Sequence, residues 1–237
     1  MNKISVIIPM LNEAKTIGKV LQHVLRKSKP KNIAEIIIVD GGSTDGSLEF
    51  VTSLISNNSA TTELFLLQSV KGRAKQMNMG SQRATGNILY FLHADSIPPN
   101  HFDQFIIDEL QQGNSAGCFK MKFDHNHWWL RLASWLTQFR WRACRGGDQS
   151  QFIDKSLFEE LNGFDEHYTI YEDNDLINKL YARNEFVVIQ QWITTSARRY
   201  ESQGIWKLQY HFCTIYVKKW FGASADELHR YYLKYIA

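Results

Sequence analysis

Four short apolar runs constrain the fold more than any other feature: "ISVIIP" (4–9), "EIIIVD" (35–40), "ELFLLQ" (63–68) and "NILYFL" (87–92). Each is near-continuous in large aliphatic or β-branched residues and does not alternate with polar ones. That pattern belongs to strands covered on both faces, as in a parallel sheet. Between the runs lie segments of helical period. Ile17, Val20, Leu21, Val24 and Leu25 make one apolar face, and Leu48, Val51, Leu54 and Ile55 make another. Strand, helix, strand, helix is the βαβ pattern, and right-handed crossovers place helices on both sides of the sheet. Further along, "AGCFKMKF" (116–123) alternates and is expected to be a more exposed or antiparallel strand, and "FVVIQ" (186–190) reads as the last strand. No Gly-, Pro- or Ser-rich linker, internal repeat or low-complexity tract divides the chain. The expectation is one α/β domain over residues 1–237, Rossmann-like, with a C-terminal helical extension over 204–237.

Composition removes several classes. With 44% hydrophobic and 22% charged residues the chain is ordinary globular material. Lys and Arg number 27 against 24 Asp and Glu, and no dense basic run exists to track phosphates, so nucleic acid is not expected as a partner. Cys118, Cys144 and Cys213 form no CxxC pair, which speaks against structural zinc and for reduced thiols in a cytosolic setting. No signal-peptide pattern and no apolar run of the ~20 residues needed to span a bilayer is seen. A cytoplasmic protein is expected, at most peripheral to a membrane.

In open α/β sheets ligands bind beyond the carboxyl ends of the strands. The residues just after the apolar runs are polar, acidic or glycine-rich. "VDGGSTDGS" (39–47) is a strand end, a glycine turn and a helix start; it reads either as a well-capped βα turn or as a binding loop. Its Gly41, Gly42 and Gly46 do not have the GxGxxG spacing, which argues against NAD or FAD. "LYFLHADSIPP" (89–99) carries His93 and Asp95, two positions apart, at the end of its apolar run. One reading is a polar strand end before a proline-marked turn. The other is a divalent cation site, Mn²⁺ or Mg²⁺, that would neutralise a diphosphate leaving group. "IYEDNDL" (170–176) gathers Glu172, Asp173 and Asp175. It is either an acidic helix start favoured by the helix dipole, or a general base among carboxylates that raise one another's pKa.

Five stretches in this order resemble the family 2 glycosyltransferases of GT-A fold: "SVIIPMLNEAKTI", "EIIIVDGGSTDGS", "GRAKQMNMGSQRATGNILYFLHADS", "RGGDQSQF" (145–152) and "GFDEHYTIYEDNDL". The GDQ stretch and "TSARR" (195–199) are further similar to a subgroup, the arsenosugar-biosynthesis and radical-SAM/selenodomain-associated glycosyltransferases. The resemblance implies a nucleotide-sugar-binding half over 1–112 and an acceptor and catalytic half over 113–203. "HAD" stands where the family has its DxD motif. The resemblance therefore implies that Ala94 and Asp95 meet the nucleotide sugar, with Asp95 on the metal. His93 replaces the first Asp, which leaves open whether it ligates. It further implies that Pro9, Asn12, Glu13, Asp40 and Arg73 line the nucleotide pocket and that Asp173 is the catalytic base. Gly147, Asp148, Gln149 and Glu172 would lie beside sugar and acceptor. Arg198 and Arg199 read either as phosphate-binding forks or as surface ion pairs. The implied activity is inverting transfer from a nucleoside-diphosphate sugar, UDP-linked, to an acceptor hydroxyl on a small or lipid-linked molecule. The rival readings are a sugar nucleotidyltransferase and a non-catalytic nucleotide-sugar binder. "MLNEAKTIG" after the first strand lacks the glycine-rich basic loop of the former, and both acidic sites are intact, unlike the latter.

Two aromatic and basic segments are not absorbed by this reading: "HWWLRLASWLTQFRWR" (127–142) and "GIWKLQYHFCTIYVKKWFG" (204–222). The second places Ile205, Leu208, Phe212, Ile215 and Trp220 at helical intervals, with His211 among them. Such faces either pack on the core, or form a homodimer contact, or lie on a membrane surface.

Overall fold

The computed structural model describes residues 2–57, 61–146 and 149–236. β1 (Ile4–Met10), α1 (Ile17–Lys27), β2 (Ile33–Asp40), α2 (Ser47–Ser56), β3 (Glu63–Gln68), α3 (Arg73–Arg83) and β4 (Ile88–Phe91) form the expected βαβ series. After them come the two-residue β5 (Ser96–Ile97), α4 (Phe102–Gln111), β6 (Ala116–Phe123), α5 (Trp128–Leu136), β7 (Gln151–Asp154), α6 (Lys155–Glu160), α7 (Glu172–Ala182) and β8 (Val187–Thr195). The chain closes with α8 (Arg198–Gln203), α9 (Ile205–Trp220) and α10 (Ala225–Tyr235).

One eight-stranded sheet runs in the order β3-β2-β1-β4-β7-β6-β8-β5. The β3-β2-β1-β4 half is parallel throughout. β7 then runs antiparallel to both β4 and β6, while β6 and β8 are parallel. The expectation for 116–123 is thus met on one side: β6 is antiparallel to β7. It is not an exposed strand, because its first four residues are buried. β7 was not legible in the sequence, since a four-residue strand beside a glycine-rich stretch carries no periodicity.

Successive residues of the parallel strands enter different cores. Val6 and Ile8 of β1, Ile36 and Ile38 of β2, and Tyr90 of β4 face α1 and α4. Ile7, Ile37, Val39, Leu89 and Phe91 face the opposite way, toward α3, α6 and α7. Water is excluded from both sides, which is why the runs are apolar without alternation. β3 is the exception: as the sheet edge it is only partly covered, and Arg83 lies over the Phe65 ring, 4.1 Å from its centroid.

A third, smaller core joins α5 to the C-terminal helices through Leu130, Tyr200, Leu208, Ile215 and Leu228. Ile205, Leu208, Phe212 and Ile215 face inward as expected, but Trp220 does not share their face and is 83% exposed. The step from Ile215 to Trp220 is five residues, which turns the side chain away from the stripe before it. His211 is held within the same helical packing by a 2.8 Å hydrogen bond to the Tyr231 hydroxyl and by stacking on Tyr235, so its structural reading is the one the geometry supports.

Candidate active site

β1 has β2 on one side and β4 on the other, so the strand order reverses at β1. A crevice opens at such a switch point beyond the carboxyl ends of the strands. The loops that reach it follow β1 (11–14), β2 (41–46) and β4 (93–95).

The first two loops are stitched together. Asn12 adopts a left-handed backbone conformation (φ 57°), which asparagine tolerates better than most residues. Its side-chain oxygen accepts from the Thr44 N–H at 2.8 Å, while its own N–H donates to the Ser43 hydroxyl at 2.9 Å. The Glu13 N–H donates to the Ser47 hydroxyl and that of Ala14 to Asp45. Asp40, buried at the end of β2, accepts from the backbone N–H groups of Gly42 at 3.0 Å and Ser43 at 3.1 Å. Pro9 is buried within β1 opposite Val39. Gln76 of α3 completes the frame by donating to the carbonyls of Met10 and Val39. Sequence reading missed Gln76; its spacing of three residues from Arg73 puts both on one helix face and was the available signal.

Two ionic networks close over this frame. Arg198, at the start of α8, forms a bidentate pair with Glu13, and one of its nitrogens lies 3.8 Å from an Asp95 oxygen. The guanidinium therefore joins the loop after β1 to the loop after β4. In the second network Arg73, at the start of α3, bonds Glu172 through Nε and Asp173 through Nη2 at 2.8 Å. Both carboxylates are buried, at 0% and 3% exposure. Burial pushes the Glu172 carboxyl above its ordinary value; the Arg73 charge opposes this and the Asp173 charge adds to it. Asp175 is drawn off instead into a 2.9 Å pair with Lys179 one turn on.

Tyr171, immediately before this acid pair, has a left-handed backbone (φ 79°). An aromatic residue there stores strain that the surroundings must offset. Its ring packs against Tyr168 and Tyr216, which holds the first turn of α7 in place.

The remaining expected residues divide. Ala94 is buried between His93 and Asp95, and the His93 N–H donates to the Ser150 hydroxyl at 3.3 Å. Gln149, next to Ser150, is buried; its amide nitrogen donates to the Cys144 carbonyl and its amide oxygen accepts from the Cys118 thiol. Arg199 turns from the crevice onto the Tyr232 hydroxyl of α10, at 2.5 Å, so the structure does not bring it to Arg198's site. Gly147 and Asp148 lie outside the described residues.

Among the described residues no group of three His, Cys, Asp or Glu side chains is gathered to hold a metal ion. The donors at hand are a carboxylate at Asp95 and an imidazole at His93, at one strand end. Mg²⁺ and Mn²⁺ in nucleotide sites are commonly held by one or two protein groups, with phosphate oxygens and water completing the shell. The donor set fits that kind of ion.

Residues 5–171 match the family model described as "Glycosyl transferase family 2". The chain belongs to that family. Among its relatives is glycosyltransferase AglE of Haloferax volcanii, 36% identical over 95 residues that cover 40% of this chain and 31% of AglE. The chain spans about a third of the length of the curated relatives it matches. Among solved structures it is similar to S. aureus TarS 1–349 in complex with UDP, with a TM-score of 0.67 at 18% identity over 82% of this chain and 60% of that one. GalNAc-T7 with UDP, GalNAc and Mn²⁺ gives 0.67 at 15% identity, covering 83% and 44%. These similarities establish the GT-A fold.

Proposed function

We propose that the chain is an inverting glycosyltransferase that moves a sugar from a nucleoside-diphosphate donor, UDP-linked, to an acceptor hydroxyl. One observation carries the reading. Glu13, Asp40, Asp95 and Asp173, which lie far apart in sequence, stand at the carboxyl-end rim of one sheet, in a family whose fold relatives include UDP complexes. The base and ribose would meet the Asn12–Glu13 and Asp40 loops, with Arg73 reaching toward the phosphates. A divalent cation held by Asp95, with His93 beside it, would supply charge stabilisation to the departing diphosphate.

Asp173 would accept the proton of the acceptor hydroxyl. The acceptor oxygen then forms its bond to the anomeric carbon from the face opposite the diphosphate. The carbon–oxygen bond to phosphate breaks, and its electron pair leaves with UDP. One such displacement inverts the centre. Arg73 would hold the Asp173 carboxylate in position, itself bonded to Glu172 through Nε. The assignment to the arsenosugar-type subgroup rests on the GDQ and TSARR stretches and names no substrate.

The test is acceptor-dependent UDP release from UDP-sugars with Mn²⁺. Asp173→Asn keeps the shape and removes the base, so turnover should fall by roughly 10²–10⁴-fold with donor binding retained. Full turnover in that variant would refute the base assignment. Formation of a UDP-sugar and pyrophosphate from UTP and a sugar 1-phosphate would point to the nucleotidyltransferase instead.

A further inference from the structure

α9 has two apolar faces, and only one is packed. Leu208 and Ile215 face the third core, but Trp206, Tyr210, Cys213, Val217 and Trp220 repeat at steps of four and three along the other side, and all are exposed. Trp206 is 54%, Tyr210 67% and Trp220 83% open to solvent, and Phe221 just beyond is 80%. At 1.5 Å per residue this stripe is about 21 Å long. Its N-terminal end abuts a second open stripe. Trp206 packs on Trp128 with ring centroids 5.7 Å apart, and Trp128, Leu132 and Trp135 make the exposed face of α5. Scattered exposed apolar residues need no explanation, but a contiguous aromatic surface on two helices marks an interaction site.

Charge decides what kind of partner fits. Neither 125–146 nor 203–224 contains a single Asp or Glu, while Arg131, Arg140, Lys207, Lys218 and Lys219 lie within them. At the far end a groove of about 610 Å³ opens between α9 and α10 beside Phe221, with Lys218, Arg230 and Lys234 on its walls against the single carboxylate of Glu227. A second copy of the chain pairing through the same stripe would bring Lys against Lys, with Glu227 of the groove set against the three groove cations Lys218, Arg230 and Lys234, and like charges across an interface are costly. An anionic lipid surface matches on both counts. Trp and Tyr favour the bilayer interface, and each juxtamembrane Lys or Arg is attracted to acidic headgroups. No helix among the described residues is long and apolar enough to cross a membrane, so the mode is lying on the surface.

We infer that the open faces of α5 and α9 dock this chain on the interface of an anionic membrane. The surface is continuous with the acceptor side of the site. Tyr216 of α9 packs on Tyr171, the residue before Glu172 and Asp173, and its hydroxyl lies 3.4 Å from where a side chain at Gly146 would begin. Docking through α9 would therefore hold the acid pair close to the lipid surface. The docking itself does not depend on the transferase reading.

The experiment is co-sedimentation of the full chain with phosphatidylcholine vesicles, with and without phosphatidylglycerol. Binding is expected only with the anionic lipid, with a blue shift in tryptophan emission and a decline as salt rises. Trp220→Ser with Phe221→Ser should weaken it by about tenfold or more, and Lys207→Glu with Lys218→Glu should do the same. Both pairs lie on exposed positions, and unchanged circular dichroism and melting would show that the fold is kept. If the first pair fails to fold, the second carries the test alone. Absence of binding to anionic vesicles overturns the inference, as does a concentration-dependent dimer that the Trp220→Ser, Phe221→Ser variant dissolves. Because vesicle binding needs neither donor nor turnover, its failure is separate from any failure of the proposed reaction.

Discussion

At the scale of single residues, the first turn of α7 holds a carboxylate that water would solvate far better than the protein does. Glu172 is fully buried, and burial raises its pKa despite Arg73. A native carboxyl that holds its proton more tightly than the unfolded chain does favours the fold at low pH. Its contribution is complete below the unfolded Glu value of about 4.3 and is lost as pH rises through the native value. Glu172→Gln removes this titration while keeping an acceptor for Arg73. The expected outcome is that wild type loses melting temperature relative to the variant as pH rises from roughly 4 to 8. Asp165 and Glu227, whose pKa values are lowered by local hydrogen bonds, have the opposite slope but occur in both proteins and cancel. A constant difference across that range would show that the buried carboxyl titrates normally. The acids themselves were legible because they sit at strand ends or a helix start. Their partners were not, because Arg73 and Glu172 are 99 positions apart and Glu13 and Arg198 are 185 apart, and no local pattern encodes such a pairing.

At the scale of elements, the apolar runs exposed the parallel half of the sheet because both faces of each strand are buried. The same logic failed for β5 and β7, which are too short to show a period. The packing of α3 on that sheet sets where Arg73 stands, and it depends on Gly80. A Cβ there would lie 2.5 Å from Cγ2 of Ile7 and 3.3 Å from Cγ2 of Val39, both fully buried. Neither can swing aside, so Gly80→Ala should cost roughly 1–3 kcal/mol despite alanine's better helix propensity. Gly18 in α1 makes the contrast. Its Cβ would meet the tip of the Phe50 ring at 2.7 Å, but Phe50 is 42% exposed and free to rotate outward. Gly18→Ala should therefore be neutral or stabilising by up to about 1 kcal/mol. Urea unfolding of both variants decides it; equal effects would mean that α3 is not seated on β1 as described.

At the scale of the whole molecule, the rim and the rest of the chain differ in charge. The sequence carries a net +3, yet the crevice collects Glu13, Asp40, Asp95, Glu172 and Asp173 against Arg73 and Arg198. A nucleoside diphosphate brings more negative charge to a site already rich in carboxylates. Coulomb repulsion in a partly buried crevice is strong enough that the nucleotide alone should bind poorly, and a divalent cation at Asp95 should reverse this. The consequence is measurable without turnover. UDP and Mn²⁺ together, near a hundredfold excess over the dissociation constant, stabilise the native state by about 2.7 kcal/mol. For a chain of this length each kcal/mol moves the melting temperature by roughly 2–4 °C, so the expected rise is about 5–10 °C. UDP with a chelator should give little of it. Asp95→Ala should lose the Mn²⁺-dependent part, and Asp40→Ala should lose the nucleotide-dependent part. If UDP alone produced the full rise and Asp95→Ala left it intact, the Arg73 and Arg198 guanidiniums would be carrying the diphosphate, and the metal would have no place in this site.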